Sequence, residues 1–261
     1  MNREGSSGGI TVIKIGGSTL GAEDTSLEDI VALAEEGHRP LVVHGGGAMI
    51  SSWLDRMKIE SVFVDGLRAT NAEALDVVVG VLRGVVNARL VAQIVERGGR
   101  AVGVSGIDGG AIRAERYDER LGFVGQVTEV DAEFFTSLLD AGVIPVVAPI
   151  GLEAPSQPLN INADTVAGEL ARAVQAERLL FLTDVDGLLD AEGALITSLS
   201  ASRAAELSED GVLAGGMIPK VNASLRAAET GTEAFIANGT LPSTVRQLFT
   251  DHFLGTHVGV N

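Results

Sequence analysis

The stretch Ile10-Thr11-Val12-Ile13-Lys14-Ile15-Gly16-Gly17-Ser18 decides how the chain is read. Its first six residues are a short β-branched run bounded by glycine, which predicts a buried strand. The strand empties into Gly16-Gly17. Two glycines there let the backbone bend and bring its N–H groups close to an anion. Lys14, at the strand's end, adds a mobile ammonium over the same spot. Two readings stand at this point: a phosphate site, or ordinary turn punctuation after a strand.

Composition narrows the partners. The chain has 261 residues, 46% of them hydrophobic and 21% charged, with 33 glycines. That suits a soluble α/β protein of one large domain or two lobes. No apolar run approaches the roughly 18 residues that span a bilayer, so no membrane partner is expected. Met1 to Gly9 is polar and Gly/Ser-rich, without the apolar segment of a signal peptide. A disordered tail over residues 1–9 and a cytoplasmic location are therefore expected. The lack of cysteine rules out disulfides and thiolate metal sites. A net charge of −16 argues against nucleic acid as partner. It also sets a condition: an acidic protein that binds phosphates must gather its few cations and its glycine amides at the site.

Outward from the first strand, strand and helix alternate. Leu27, Ile30, Val31 and Leu33 predict a helix from Ser26 to Glu36 with Ser26 as cap. Pro40–Val43 is a second buried strand, followed by His44-Gly45-Gly46-Gly47 and a helix from Ala48 to about Met57. A helix N-terminus behind glycines is a ready anion site. The spacing is not a dinucleotide fingerprint, and no G-x-x-x-x-G-K-[ST] loop occurs. His44 closes the second strand as either a structural or a catalytic residue. Asp65-Gly66 makes a turn into Leu67-Arg68-Ala69-Thr70. Asn71 to Arg97 predicts one long helix, with breaks at Gly80 or Gly84 as weak points and an apolar face suited to a partner subunit. Ala101–Val104 is a strand, Ile112–Val127 an irregular hairpin, Ala132–Ala141 a helix and Val143–Ala148 a strand. Pro155 to Pro158 reads as a loop. A helix from about Thr165 to Gln175, a strand over Arg178–Leu182, a helix opened by Gly215-Gly216 and a strand over Ala234–Ala237 complete the pattern. Repeated units of this kind favour a mostly parallel sheet covered on both faces.

Loops bearing glycine and a polar group follow strands or open helices at Lys14, His44, Asn160–Asp164 and Asp184–Gly187, and Lys220 sits beside Gly215-Gly216. In doubly wound sheets ligands lie beyond the carboxyl ends of the strands, so these loops can meet on one edge. Each has a second reading. Arg68 either binds a ligand or pairs with a surface carboxylate, and Asp164 is either functional or a helix cap. Asp184 and Asp186 form a polar turn or hold water on Mg²⁺. A calcium loop is excluded because Leu188 stands at the next ligand position.

The motifs Lys14-Ile15-Gly16-Gly17, Val43-His44-Gly45-Gly46-Gly47, Gly66-Leu67-Arg68-Ala69-Thr70, Asn160-Ile161-Asn162-Ala163-Asp164, Asp184-Val185-Asp186-Gly187 and Gly216-Met217-Ile218-Pro219-Lys220-Val221-Asn222, in this order, resemble the amino acid kinase family. Within it they are most similar to the N-acetylglutamate kinases, from Ile13 to Thr256. The resemblance implies a three-layer αβα sandwich around a mostly parallel sheet. It also implies a single domain over residues 10–261, with an acceptor lobe over about 10–155 and a nucleotide lobe over about 156–261. The implied reaction moves the γ-phosphoryl of ATP to the side-chain carboxylate of N-acetyl-L-glutamate, an early step of arginine biosynthesis. Lys14 and Lys220 would flank the transferring group, with Asp164 holding both. Gly45, Gly46, Arg68, Asn160 and Asn162 would bind the acceptor. Gly16, Gly17, Thr183, Asp184, Asp186, Gly187, Leu188, Leu189, Leu213, Gly215 and Gly216 would bind ATP. Mg²⁺ would be held by ATP phosphates and water, without protein ligands.

The pattern departs from the family at Ala69, where valine is more usual, so the lining of the acceptor pocket differs. Arginine-inhibited members carry an additional N-terminal helix; none is read before Lys14, so an arginine-insensitive homodimer is expected. Regulation by a protein partner is left open. The rival readings are a sister kinase acting on carrier-bound aminoadipate or glutamate in lysine biosynthesis, and a non-catalytic nucleotide-binding or storage protein on the same fold. The acidic surface disfavours the first, and the presence of both lysines and the aspartate disfavours the second.

Overall fold

In chain order the strands are β1 (Ile10–Ile15), β2 (Arg39–His44), β3 (Val62–Val64), β4 (Leu67–Ala69), β5 (Ala101–Ser105), β6 (Ile112–Arg116), β7 (Val124–Val130), β8 (Ile144–Ala148), β9 (Ile150–Glu153), β10 (Gln157–Ile161), β11 (Arg178–Thr183), β12 (Ser198–Ser200), β13 (Glu233–Asn238) and β14 (Thr256–Gly259). The α-helices are α1 (Ser26–Glu35), α2 (Gly47–Met57), α3 (Ala72–Val79), α4 (Ala88–Glu96), α5 (Ala132–Asp140), α6 (Ala163–Ala173), α7 (Ala201–Glu209), α8 (Met217–Ala228) and α9 (Thr244–Gln247). This computed structural model describes residues 8–16, 25–250 and 252–259. Gly17, Ser18 and residues 1–7 of the expected tail lie outside the described residues, whereas Gly8 donates its N–H to Gly37 O at 3.1 Å.

The main sheet has the order β12-β14-β13-β11-β1-β2-β8-β5. Every neighbouring pair is parallel except β13–β14. Because both faces are covered, its strands read as continuous apolar runs. Alternation divides β1 between two cores. Ile10 and Val12 face a cluster that includes Val166 and Leu170 of α6 and Val221 of α8. Ile13 and Ile15 face the opposite cluster, with Leu27 and Ile30 of α1 and Leu90 and Ile94 of α4. These are the layers of an αβα sandwich. Register aligns Ile15 with both His44 and Leu182, and Thr183 with Asn238, so β1, β2, β11 and β13 end on one edge.

Several expectations are corrected. Thr25, not Ser26, is the N-cap of α1, and Ser26 is its first helical residue. The segment read as a loop around Pro155–Pro158 contains the start of β10, which pairs antiparallel with β9, Pro158 opposite Leu152. Helix α6 starts at Ala163 rather than Thr165, because Asn162 caps it: Asn162 Oδ1 accepts from the N–H groups of Asp164 at 2.8 Å and Thr165 at 3.1 Å. Strands β6, β7, β9 and β10 close into a small barrel beside the main sheet. The expected long helix runs through Ala72–Glu96, and its weak point takes the form of π-helical turns over Gly80–Asn87. Contrary to the reading of apolar runs, this 25-residue helix is long and apolar enough to cross a membrane by length and composition. Its inward side chains, among them Val78 and Leu82, pack against Ile50 and Leu54 of α2.

Candidate active site

The period of two along β1 puts Lys14 on the face of Ile10 and Val12, above the first turn of α6. There its Nζ lies 2.8 Å from Asp164 Oδ1. The other carboxylate oxygen, Oδ2, accepts from Lys220 Nζ at 3.1 Å. Lys220 stands in the first turn of α8, where Pro219 is tolerated because the first helical N–H groups need no intrahelical partner. Lys220 Nζ also donates to Gly216 O at 3.1 Å. The side chains of Lys14, Asp164 and Lys220 are 9%, 7% and 12% exposed. Two of the chain's three lysines thus converge on one buried carboxylate. The cluster carries a formal excess of one positive charge in a protein of net charge −16. That is the concentration of cations which phosphate binding by an acidic protein requires.

Helices α6 and α8 can bring these charges together because their backbones approach closely. A Cβ at Gly168 would sit 2.8 Å from Ala223 Cβ and 3.2 Å from its Cα and O. Gly168 lies one turn beyond Asp164, and Ala223 about one turn beyond Lys220.

Two cavities border the charged cluster. One, of about 380 Å³, is lined by Lys14, Gly16, Thr183, Asp184, Gly216 and Lys220, among others. The other, of about 680 Å³, has Gly66, Leu67, Asn162, Asp164, Gly215 and Gly216 in its walls. The cavities share Gly216; Lys14 and Lys220 line the smaller one and Asp164 the larger, whereas Gly45, Gly46, Arg68 and Asn160 are in the lining of neither.

The acceptor-side residues come from different elements. Asp65 and Gly66 have φ of 51° and 80°, a turn that folds β3 back on β4 and sets Phe63 opposite Arg68. The Arg68 guanidinium lies 4.7 Å from the Phe63 ring centroid. It donates to Ser51 Oγ at 2.7 Å, Gly47 O at 3.1 Å and Ser61 Oγ. Among the described residues it pairs with no carboxylate, which sets aside the surface ion pair as its role. Burial pulls its pKa below the ordinary arginine value, an added reason for it to favour an anionic partner. Asn160, next to last in β10, donates from Nδ2 to Thr70 Oγ1 at 3.2 Å. Gly45 follows β2 and donates its N–H to Ile15 O at 3.0 Å, so the glycine turn lies against the end of β1. His44 is 1% exposed, and burial drives its pKa down to about 4, which leaves it neutral and unsuited to proton transfer near neutral pH.

On the nucleotide side, Thr183 and Asp184 line the smaller cavity, while Asp186 accepts from Asn238 Nδ2 at 2.8 Å. Gly187 has φ 151°, and a Cβ there would meet Thr256 Oγ1 at 2.7 Å. That hydroxyl accepts from Leu188 N–H at 2.8 Å and donates to Ile196 O at 2.7 Å, pinning the loop to β14. Leu188 and Leu213 belong to the apolar core rather than to the cavity wall, whereas Leu189 is exposed. Gly215 has φ 55° at the entrance to α8, a left-handed turn that suits glycine. Gly17 lies outside the described residues.

The model of the amino acid kinase family matches residues 9–238. The chain belongs to the amino acid kinase family. An acetylglutamate kinase of Synechococcus sp. (strain RCC307) is 46% identical over 256 residues, covering 95% of this chain and 86% of that protein. An acetylglutamate kinase of Ruegeria sp. (strain TM1040) is 44% identical over 254 residues, covering 95% and 89%. Among solved structures, smu.665 from Streptococcus mutans UA159 superposes with a TM-score of 0.85 at 26% identity, covering 97% of this chain and 99% of that one.

For this amino acid kinase the expected triad of Lys14, Asp164 and Lys220 is assembled, and Gly16, Thr183, Asp184, Gly215 and Gly216 surround it. Asp164 is not the helix cap; Asn162 is. Sequence reading missed Ser51, Ser61 and the Gly47 carbonyl as the cradle of Arg68, and Thr256 as the pin of the nucleotide loop. Nothing in the linear order marks these residues, because each acts through a partner brought in by the fold.

Proposed function

We propose that this chain transfers the γ-phosphoryl of ATP to the side-chain carboxylate of N-acetyl-L-glutamate, forming N-acetyl-L-glutamyl 5-phosphate for arginine biosynthesis. The observation that carries the residue roles is the pair of lysine ammonium groups on one aspartate, both lysines lining one cavity and the aspartate the adjoining one. ATP enters on the side of Thr183 and Asp184, and the acceptor on the side of Gly66 and Leu67. A carboxylate oxygen of the acceptor attacks the γ-phosphorus. The bond from phosphorus to the β–γ bridging oxygen breaks, and its electron pair leaves with ADP.

The nucleophile is already ionised, so no general base is required. The obstacle is charge: two unit charges about 4 Å apart repel by about 4 kcal/mol at an effective dielectric near 20. Lys14 and Lys220 offset that repulsion and stabilise the charge on the transferring group, while Asp164 keeps both ammonium groups pre-oriented. The glycine amides at Gly16 and Gly46 add donors to the phosphoryl and acceptor oxygens. Arg68, free of acidic partners among the described residues, grips the acceptor's α-carboxylate as a bidentate fork by exchanging one of its Nη2 bonds, to Ser51 or to Gly47, for the substrate. Asn160 serves the acetamido group.

The metal enters as part of the substrate MgATP. The Mg²⁺ ion is carried by the phosphates and water. The acceptor lobe spans about residues 10–155 and the nucleotide lobe about 156–261, in a cytoplasmic enzyme. The working unit is a homodimer. The exposed face of the long helix presents Gly80, Gly84, Ala88 and Ala92 at four-residue spacing, a seam on which a second copy's backbone can approach closely.

A coupled ADP-release assay with N-acetylglutamate, glutamate and aspartate as acceptors tests the reaction. Turnover is expected with N-acetylglutamate; activity confined to an unacetylated acceptor would overturn the assignment.

A further inference from the structure

The break in the long helix and the buried histidine at the end of β2 meet in the core, and the mechanism above uses neither. The π-helical turns over Gly80–Asn87 turn Asn87 inward, leaving it 1% exposed. Its Nδ2 donates to the Val146 carbonyl at 2.8 Å. A carbonyl can only accept, so this atom is the NH₂ group, and Asn87 Oδ1 lies on the side of Arg83 Nη1, 3.4 Å away. The same Nδ2 lies 3.0 Å from His44 Nε2, which must therefore be the accepting, unprotonated ring nitrogen. The proton of the neutral imidazole then sits on Nδ1, 2.8 Å from the Gly45 carbonyl oxygen, to which it donates. Each step of the chain leaves one assignment of donors and acceptors.

The Gly45 carbonyl and the Gly46 N–H belong to one planar trans peptide and point in opposite directions. Holding the carbonyl from behind aims the N–H forward. Flanked by two glycines, this peptide is otherwise one of the easiest in the chain to rotate. Gly46 N–H has no hydrogen-bond partner among the described residues. Leu82, in the same π-helical segment, presses on this turn, since a Cβ at Gly46 would meet its Cδ2 at 2.7 Å. We propose that His44 and Asn87 are positioning residues that lock the Gly45–Gly46 peptide so that the Gly46 N–H is aimed at the oxygens of the reacting carboxylate and phosphoryl group. The proposal rests on the kinase reading of the site and adds the residues that orient its glycine turn. Burial keeps the imidazole neutral, with the positive charges of Arg83 and Lys14 acting in the same direction, so the Nδ1–H donor persists through the neutral pH range.

The test compares His44→Leu, His44→Asn and Asn87→Leu with Lys14→Ala by steady-state kinetics, each normalised to the folded fraction from circular dichroism. Asn at 44 keeps an N–H near the position of Nδ1; leucine keeps only bulk. His44→Leu should lower kcat by about 10–100-fold, as expected of a donor misplaced by an ångström or less, with the KM for MgATP changed by less than about threefold. His44→Asn should recover at least about tenfold of that loss, and Asn87→Leu should fall between the two. Equal kcat for His44→Leu and His44→Asn, or a wild-type kcat in His44→Leu, overturns the positioning role. A Lys14→Ala enzyme that retains wild-type kcat instead overturns the reading of the site itself. Should the leucine variant not fold, ¹⁵N NMR of the histidine rings in the wild-type protein decides the matter. An Nδ1–H tautomer for His44 at pH 7 supports the proposal, and an Nε2–H tautomer refutes it.

Discussion

Replacing Gly168 with alanine perturbs the spacing on which the charged cluster depends. The new methyl carbon would lie 2.8 Å from Ala223 Cβ and 3.2 Å from Ala223 Cα and O. Carbon atoms pack at about 3.5–4.0 Å, so α6 and α8 must part locally by about 1 Å. Asp164 and Lys220 ride on those two helices, each about one turn before the contact. Their 3.1 Å hydrogen bond would lengthen to about 4 Å, beyond useful range. A displacement of about 1 Å in a catalytic group costs about 100-fold in rate, or about 2.7 kcal/mol of transition-state stabilisation. The effect on stability is smaller, because overpacking costs about 1–3 kcal/mol while Gly→Ala in a helix recovers about 1 kcal/mol. Activity should therefore fall further than melting temperature. Steady-state kinetics below the melting transition would read this as a drop in kcat with little change in either KM. The double variant Gly168→Ala/Ala223→Gly removes the 2.8 Å contact and should regain most of the lost kcat. If Gly168→Ala keeps kcat within about threefold of wild type while its melting temperature drops, helix spacing does not govern the lysine–aspartate geometry.

Further outcomes are expected at the site. Lys220→Ala should lower kcat by about 100- to 1000-fold with a much smaller rise in acceptor KM; a change confined to KM would remove its catalytic role. Arg68→Lys should raise the KM for N-acetylglutamate by about 10- to 100-fold and leave that for MgATP unchanged, because an ammonium cannot reproduce a bidentate grip worth about 1.5–3 kcal/mol. An unchanged acceptor KM would place the substrate elsewhere. The pH dependence of stability follows from His44, whose pKa is about 4 when folded and 6.5 in the reference state. Between those values the unfolded chain binds more protons, so stability is fully present above about pH 6.5. It should decline by up to about 3 kcal/mol as pH falls toward 4. Urea unfolding at pH 7.5 and 4.5 should show a larger loss in wild type than in His44→Asn, and equal losses would refute the assignment.

Much of the molecule was legible in the order of residue types. The runs at β1, β2, β8 and β11 and the helical spacing of α1, α5 and α8 are local signals, and local geometry reads them correctly. Strand β10 escaped notice because Pro158 carries no N–H and reads as a breaker, although here β9 supplies its antiparallel partner. The short strands β12 and β14 form only because the edge of the sheet offers them neighbours. The weak point at Gly80 and Gly84 was visible, yet its form as π-helical turns that carry Asn87 to His44 was not.

By itself the sequence determined the alternating strands and helices, the glycine turns at their ends and the stock of cations available for a phosphate site. Only the tertiary structure decided that Lys14 and Lys220 both reach Asp164, that Arg68 has no acid beside it among the described residues, and that His44 is buried and held neutral. The physical reason is that periodicity reports which face of an element is apolar. The partner of a buried charge depends instead on how closely two distant elements approach, and that is set by contacts such as Gly168 against Ala223.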